Sequence, residues 1–289
     1  MTAGDPFGDA KLADLDLDLD LTRPNVARVY DAMLGGKDNF AADRGFLAEV
    51  LRFAPMAPLG AIANRQFLRR VVHYLMLEAG VTQFLDIGSG LPTRGNVSEV
   101  AHEICPDARI VHVDNDPVVY THSKALLADA RTTDFVLGDV RRPAEILDDP
   151  AVRSLIDFGQ PVGLLLFAVL HHIEDEEQPE RIMAELRDAM PAGSYLAISS
   201  LRLPGHELAE QRAITIEGEE LMTSALGSIR WREDGQIQSW FGQWQMVEPG
   251  LVPLGDWRPS GPAHSLHPEI HHSFSGGVAR KELPGSVAG

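Results

Sequence analysis

Beyond residue 80 the chain alternates between two hydrophobic patterns. Gln83–Ile87, Arg109–Val113, Asp134–Leu137, Val162–Leu170 and Tyr195–Ser199 are short, near-continuous apolar runs that predict strands. Between them, Val97–Ile104, Val118–Ala130, Pro143–Phe158 and Pro179–Met190 read as helices. Strands apolar on both faces, each followed by a helix, predict a parallel sheet covered on both sides. Leu203–Phe241 reads as mostly helical. Two further strands are expected near Trp244–Val252 and Ser273–Lys281, and the Pro-, Gly-, His- and Ser-rich connection between them suits an antiparallel ending. No internal repeat occurs.

The chain up to residue 80 is different. Asp14 to Leu21 alternates Asp with Leu, which as a strand would set leucines and aspartates on opposite faces. Asp is a poor strand former and the like charges repel, while the spacing lacks the glycine turn of an EF-hand calcium loop. A mobile acidic arm over residues 1–21 is therefore expected. Asn25–Leu34 predicts a helix, with Thr22 or Asn25 as its cap, Val26, Val29, Tyr30 and Met33 at helical spacing, and Gly35-Gly36 after it. Asp43–Phe53, stopped before Pro55, and Ala61–Ala79, with an apolar stripe through Phe67, Val71, Val72 and Leu75, predict two more. These make a helical prelude to a Rossmann-like α/β domain.

Composition narrows the partners. The chain carries 25 Lys and Arg against 42 Asp and Glu, a net charge of −17 with a pI near 5.0. Nucleic acid and anionic membrane surfaces are not expected partners, because phosphate contact needs clustered Lys and Arg. The single cysteine, Cys105, rules out an intramolecular disulfide and a cysteine-only zinc site. The most apolar run, the nine residues Val162–Leu170, is about half of a membrane helix, and no signal-like segment opens the chain. A soluble, cytoplasmic protein is expected.

In an open α/β sheet the ligand site lies at the carboxyl ends of the strands. After the first strand stands Asp86-Ile87-Gly88-Ser89-Gly90-Leu91-Pro92-Thr93. Gly88 and Gly90, with Ser89 between them, permit a tight turn and close backbone approach, and the next helix N-terminus can offer free N–H groups. A purely structural turn explains the same glycines. A dinucleotide fingerprint requires Gly or Ala where Thr93 stands, and Asp86 inside the strand end suits a ligand with a cationic amine. The second strand ends at Asp114, 24 residues after Gly90 and near the roughly 20-residue interval at which an acid meets ribose hydroxyls. Asp116, before Pro117, reads as a helix cap.

Asp139, after the third strand, could accept from an adenine amine, or serve as a loop cap or a partner of Arg141 or Arg142. His171 and His172, after the fourth strand, are candidates for base chemistry near neutral pH. Alternatively, one of them shapes the strand-to-helix corner through a backbone hydrogen bond. His264, His267, His271 and His272 fall within nine residues. Without cysteine and with few carboxylates nearby, they read as a polar surface connection, and no metal is expected.

In this order the motifs resemble those of class I S-adenosylmethionine-dependent methyltransferases. The chain is similar to one family of that class in particular, bacterial S-adenosyl methyltransferase-like proteins formerly catalogued as a domain of unknown function. The likeness rests on Arg23–Asp31, Leu34–Phe40, Asn64–Arg70, Gln83–Thr93, Val113–Pro117, Glu248–Val252 and Trp257–Pro259, and spans roughly residues 20–282. It implies a mostly parallel seven-stranded sheet, six strands parallel and one antiparallel. Residues 22–80 would form an N-terminal helical lid, 81–282 the S-adenosylmethionine-binding methyltransferase domain and 283–289 a tail.

The resemblance also implies S-adenosylmethionine as cofactor and S-adenosylhomocysteine as product. On this chain Asp86, Gly88 and Gly90 would cradle the methionine part, Asp114 and Asn115 the ribose and its surroundings, and Asp139 and Val140 the adenine. Ala168 and His171 would border the transferred methyl, and Tyr30 or Asn64 would reach the cofactor. Two departures stand out: Pro92 replaces the third glycine of the methyltransferase loop, and Pro161-Val162-Gly163 lacks the acid common on the fourth strand. No Asn/Asp-Pro-Pro-aromatic sequence occurs, which argues against methylation of base or amide nitrogens in that style.

The expected activity is in-line methyl transfer to a small-molecule acceptor, with His171 or His172 removing a proton where one must leave. Two rivals stand beside it: a non-catalytic S-adenosylmethionine-binding or regulatory protein, and a nicotinamide-dependent oxidoreductase, which Thr93 and Asp86 disfavour.

Overall fold

The computed structural model describes residues 21–126, 130–259 and 268–282. The Asp–Leu arm up to Asp20, His264, His267 and the 283–289 tail lie outside the described residues. Gln83–Ile87 (β1), Arg109–Asp114 (β2), Thr133–Leu137 (β3), Gly163–Phe167 (β4) and Tyr195–Leu201 (β5) pair in parallel, in the order β3-β2-β1-β4-β5. Every residue of β1, β4 and β5 is buried, as the continuous apolar runs require. Among the described residues three helices precede the sheet: Val26–Met33 (α1), Ala41–Phe53 (α2) and Ala57–Leu77 (α3). Val97–Ile104 (α4), Pro117–Leu126 (α5), Pro143–Leu147 (α6), Pro150–Leu155 (α7) and Pro179–Ala189 (α8) connect its strands.

Ala209–Leu226 (α9) and Asp234–Ser239 (α10) follow β5. The chain then forms Gln245–Met246 (β6), Val252–Pro253 (β7), Pro268–His271 (α11) and Phe274–Arg280 (β8). β8 runs antiparallel to β5, and both β6 and β7 run antiparallel to β8. Among the described strands only β8 therefore opposes the common direction. The sheet has eight strands where seven were expected, because its edge strand is split. Met246 and Val252 are six residues apart but face Ala279 and Gly276, which are three apart, so the intervening Pro249-Gly250 segment bulges away.

Several helix bounds shift by a few residues, and two other differences have a clear local cause. The helix expected over 143–158 is two helices, because Asp149 before Pro150 caps a new one by accepting the Ala151 N–H. The strand expected to reach Leu170 ends at Phe167, where Ala168 takes φ 56° and turns the chain. Left-handed backbone at a non-glycine residue is a strained conformation held by its surroundings. The Ala168 N–H donates to both the carbonyl and the hydroxyl oxygen of Ser199, each at 3.0 Å.

Side chains alternate between the two faces of the sheet. On one face Leu85, Val111 and Leu164 pack with Ile146, Ile182 and Trp240. On the other, Phe84, Ile110 and Leu165 pack with Phe67, Val71 and Leu75 of α3 and with Val97 and Val100 of α4. The core is thus continuous across residue 80. Phe67 stands edge-on to Phe167 at 5.7 Å and to Trp257 at 5.5 Å between ring centroids. Arg70 of α3 donates from Nε to Trp257 O at 2.8 Å, tying the C-terminal segment to the same helix.

The prelude helices are joined by a buried ion pair. Arg28 Nε donates to Asp43 Oδ1 and Oδ2 at 3.1 and 3.0 Å, and the same carboxylate accepts the backbone N–H groups of Asn25 and Phe40. Asn25 in turn caps α1 by accepting from Ala27 and Arg28. Among the described residues no single helix is long and apolar enough to cross a membrane.

Phe67→Ala should lower unfolding stability by about 3–5 kcal/mol, because a large cavity would open among fully buried rings. Urea denaturation checks it; a loss below about 1 kcal/mol would mean that α3 is not part of the sheet's core.

Candidate functional site

β1 delivers Gly88-Ser89-Gly90 to the carboxyl edge of the sheet. Gly88 adopts φ +74° and Gly90 φ +65°, and the N–H groups of Gly88 and Ser89 both donate to Val113 O. A Cβ on Gly88 would lie 2.5 Å from Val169 Cγ2, so only glycine lets this loop rest on the turn after β4. At Gly90 a Cβ would meet nothing within 4 Å, because that residue faces an open cavity.

Asp114, at the end of β2, fixes this loop. Its Oδ2 accepts the Gly90 N–H at 2.8 Å and its Oδ1 accepts the Asp116 N–H at 3.0 Å. Each oxygen retains a lone pair for a further donor. Burial raises the Asp114 pKa to about 6, against the opposing pull of the two N–H groups and with help from the nearby Asp116 and Asp86 charges. Asp86, also buried, accepts from Nδ1 of His112, its in-register neighbour on β2, at 2.9 Å.

The cavity holds about 900 Å³, at the upper end of the roughly 300–1,000 Å³ range of small-molecule sites. Asp86, Gly88, Ser89, Gly90, Asp114, Asn115 and Val140 line its strand-end half, and Tyr30, Asn64, Ala168, His171 and His172 also border it. The remainder lies between α1–α3 and α9 and is mostly apolar.

Asp139 is not among the lining residues. Its carboxylate accepts from Arg141 Nη1 at 3.2 and 3.1 Å and from the Arg141 N–H at 3.0 Å, which is the loop-cap and ion-pair arrangement weighed as its alternative. Arg141 also reaches Glu177 and the His172 carbonyl. Helix α4 does not point its N-terminus at the loop either. It starts only at Val97, where the Asn96 side chain already accepts the Glu99 N–H, and residues 91–97 stay off the cavity. The Leu91-Pro92 segment, where the third glycine is missing, carries the chain away first.

The polar atoms of Tyr30 and Asn64 are engaged with the protein. Tyr30 OH donates to Ala61 O at 3.2 Å and accepts from Asn64 Nδ2 at 3.0 Å, while Asn64 Oδ1 accepts from Ser199 Oγ at 2.6 Å. With the Ser199–Ala168 bond this forms a continuous chain from α1 through α3 and β5 to the turn after β4. Burial raises the Tyr30 pKa, which keeps the hydroxyl protonated as a donor.

The two histidines differ in tautomer. The Leu201 N–H donates to His171 Nδ1 at 3.3 Å, which puts the proton of neutral His171 on Nε2. His172 Nδ1 donates to Ser228 O at 2.8 Å, which leaves its Nε2 as an acceptor. Burial pushes the pKa of both rings below the usual imidazole range, well below it for His171, so both are neutral at pH 7. Their ring centroids are 4.5 Å apart.

Sequence reasoning missed Arg65 and the α9 wall. Arg65 borders the cavity, donates to Thr93 Oγ1 at 3.0 Å and lies over the Tyr30 ring, yet its Nε is buried without a hydrogen-bond partner. Its place inside the Asn64–Arg70 motif was the available signal. The wall formed by Ile214 and Met222 of α9 gave none, because that helix is only weakly amphipathic. Among the described residues no group of three or more His, Cys, Asp or Glu side chains is arranged to hold a metal; His271 pairs with Asp256 at 3.3 Å.

The profile of the S-adenosyl methyltransferase family matches residues 13–282. The chain belongs to that family. It is an S-adenosylmethionine-dependent methyltransferase, and its mostly parallel sheet is that of class I. A crystal structure of a candidate methyltransferase from Thermobifida fusca YX is 41% identical, covers 91% of this chain and 97% of its own, and superposes with a TM-score of 0.85. A DUF574 family protein from Streptomyces avermitilis MA-4680 is 36% identical, with 91% and 99% covered and a TM-score of 0.82. An O-methyltransferase family protein from Burkholderia thailandensis shares the fold at 12% identity, 81% and 62% coverage and a TM-score of 0.52. Among curated proteins, none matches.

The raised pKa of Asp114 has a stability consequence with a definite sign. Below about pH 4 the folded and unfolded states both hold the proton, and between about pH 4 and 6 the folded state holds it more tightly. Stability contributed by this group is therefore lost as pH rises through about 6. Relative to Asp114→Asn, the wild-type urea midpoint should fall over this interval. Parallel pH profiles for the two proteins would show that the group titrates normally.

Proposed function

We propose that the strand-end half of the cavity holds the methyl donor and that the enzyme transfers its methyl group to a small molecule bound in the apolar half. The observation that carries this reading is the charge pattern around the glycine loop. The buried acid Asp86 and Arg65, which pairs with no acid, both line the cavity, matching the ammonium and carboxylate of an amino-acid moiety. Asp114, with a lone pair left on each oxygen, suits two ribose hydroxyls, and the open face of Gly90 leaves room beside them. Gly88 and Ser89 would shape the methionine cradle, Asn115 would lie at the ribose edge, and Val140 would pack on the adenine. Asp139 would act through Arg141, not on the base.

S-adenosylmethionine bound there supplies an electrophilic methyl on a positively charged sulfur. The protein's part is to place an acceptor in line with that methyl and to exclude water. The Ala168 turn, fixed by Ser199, would form the floor at the reacting centre. His172, neutral and with Nε2 as an acceptor, would take the acceptor's proton, whereas His171 offers an N–H and would orient rather than deprotonate. The enzyme would act in the cytoplasm, consistent with its acidic composition and single cysteine.

Calorimetric titration with S-adenosylmethionine, S-adenosylhomocysteine and NADH tests the site. Binding of the first two and not the third is expected, and failure of both to bind would overturn the reading. Asp114→Ala should weaken S-adenosylhomocysteine binding by roughly 1.5–3 kcal/mol, and wild-type affinity should fall as pH drops through about 6, because the protonated acid is a poorer acceptor. An affinity independent of pH in this range would remove the ribose role. Arg65→Met should lose about tenfold or more in S-adenosylhomocysteine affinity while 5′-methylthioadenosine, which lacks the amino-acid moiety, binds unchanged. Equal losses for both ligands would move Arg65 away from the carboxylate.

A further inference from the structure

The half of the cavity beyond the strand ends has a chemistry of its own. Val29 and Met33 of α1, Phe53 of α2, Ile214 and Met222 of α9 and Phe274 of β8 line it. Arg141 is held by Asp139 and Glu177, Arg65 lies against Thr93 of the glycine-loop segment, and Glu210, at the start of α9, is exposed at the rim. Arg65 and Arg141 are the only cations among the described residues that line the cavity, so the apolar half has none of its own to meet an anion brought in by an acceptor. A carboxylate or phosphate group would lose its water there without compensation.

His172 joins the two halves. Its carbonyl accepts from Arg141 Nη2 on the strand-end side at 3.1 Å, and its Nδ1 donates to Ser228 O at 2.8 Å, just past α9. The ring, which borders the cavity, therefore keeps Nε2 as its acceptor. Burial, with the neighbouring Arg141 charge and against the Ser228 hydrogen bond, makes this imidazole a weaker base than usual. A weak base accepts a proton during methyl transfer more readily from a phenol, whose pKa is near that of tyrosine at about 10, than from the far less acidic aliphatic alcohols.

We propose that the acceptor is an uncharged, apolar phenol that lies between α9 and α1–α3 with its hydroxyl donating to Nε2 of His172. The proposal rests on the reading that the strand-end half holds the methyl donor. In the transfer, the phenolic oxygen forms a bond to the methyl carbon and the methyl–sulfur bond breaks with its electron pair remaining on sulfur. The phenolic proton passes to Nε2 of His172. The products are an aryl methyl ether and S-adenosylhomocysteine, and the imidazolium returns its proton to solvent.

The test uses the full chain saturated with S-adenosylhomocysteine and three probes of similar size, 2-naphthol, 2-naphthoate and 2-methylnaphthalene, titrated by calorimetry. 2-Naphthol should bind about tenfold tighter than either of the others. Ile214→Asp, at a half-exposed helical position (49%), should weaken 2-naphthol about tenfold without moving S-adenosylhomocysteine affinity. His172→Phe should erase the preference for 2-naphthol over 2-methylnaphthalene. Equal or tighter binding of 2-naphthoate overturns the uncharged acceptor, and a hydroxyl preference that survives in His172→Phe overturns the His172 contact. No binding of 2-naphthol to protein that binds S-adenosylhomocysteine overturns the proposal altogether. Failure of S-adenosylhomocysteine itself to bind is distinguishable, since it removes the donor site and the proposal with it.

Discussion

One buried carboxylate organises the carboxyl edge of this sheet. Asp114 ends β2 and accepts N–H groups from two directions, Gly90 in the loop after β1 and Asp116 in its own turn. Loss of the carboxylate would leave the buried Asp116 N–H without its acceptor and release the Gly90 N–H to the cavity. The loop it holds has no freedom of its own, since Gly88 is pressed against Val169 and both glycines are left-handed. The same burial that makes the hydrogen bonds strong makes the charge costly, and the pKa near 6 records that balance. A further pair of donors at Asp114 would stabilise the ionised form, the electrostatic reason for a ligand to bind there.

A second set of constraints connects the prelude helices to the reacting end of the cavity. The chain from Tyr30 through Asn64 and Ser199 to the Ala168 N–H runs from α1 to the turn after β4, and each of its members is buried or half-buried. Motion of α1 and α3 relative to the sheet would break several such bonds at once. α3 is accordingly a fixed wall, anchored by Phe67, Val71 and Leu75. The opposite wall is looser. α9 buries only Gly218 and Met222 and leaves Ile214, Ile216 and Leu221 exposed, so little apolar burial along its length resists opening.

The histidine pair shows how backbone groups assign chemical roles to identical side chains. A backbone N–H facing His171 Nδ1 and a carbonyl facing His172 Nδ1 give adjacent rings opposite tautomers. The segment that supplies the carbonyl is secured by Arg230 to Glu174 and Glu219 and by Arg232 to Asp175. These ion pairs act on the site through geometry, by fixing where Ser228 stands relative to His172.

The parallel sheet, the two glycines at its edge and the acids at the ends of β1 and β2 could be read from the amino-acid pattern alone. Continuous apolar runs can be buried only between two covering layers, and Gly88 and Gly90 have local conformations that other residues resist. Helix α1, with Asn25 at its cap and Gly35 after it, was legible for the same reason: short-range steric and hydrogen-bonding preferences act within a few residues. What depended on distant partners was decided by the tertiary structure. Asp139 took Arg141 as its partner, the edge strand broke into β6 and β7 against β8, and Arg65 came to the glycine loop across 28 residues of chain to Thr93. The tautomers of His171 and His172 belong to the same group, since Leu201 and Ser228 lie 30 and 56 residues away. Sequence pattern encodes which face of an element is apolar; which polar atoms meet across the fold is fixed only when packing brings them within hydrogen-bond distance.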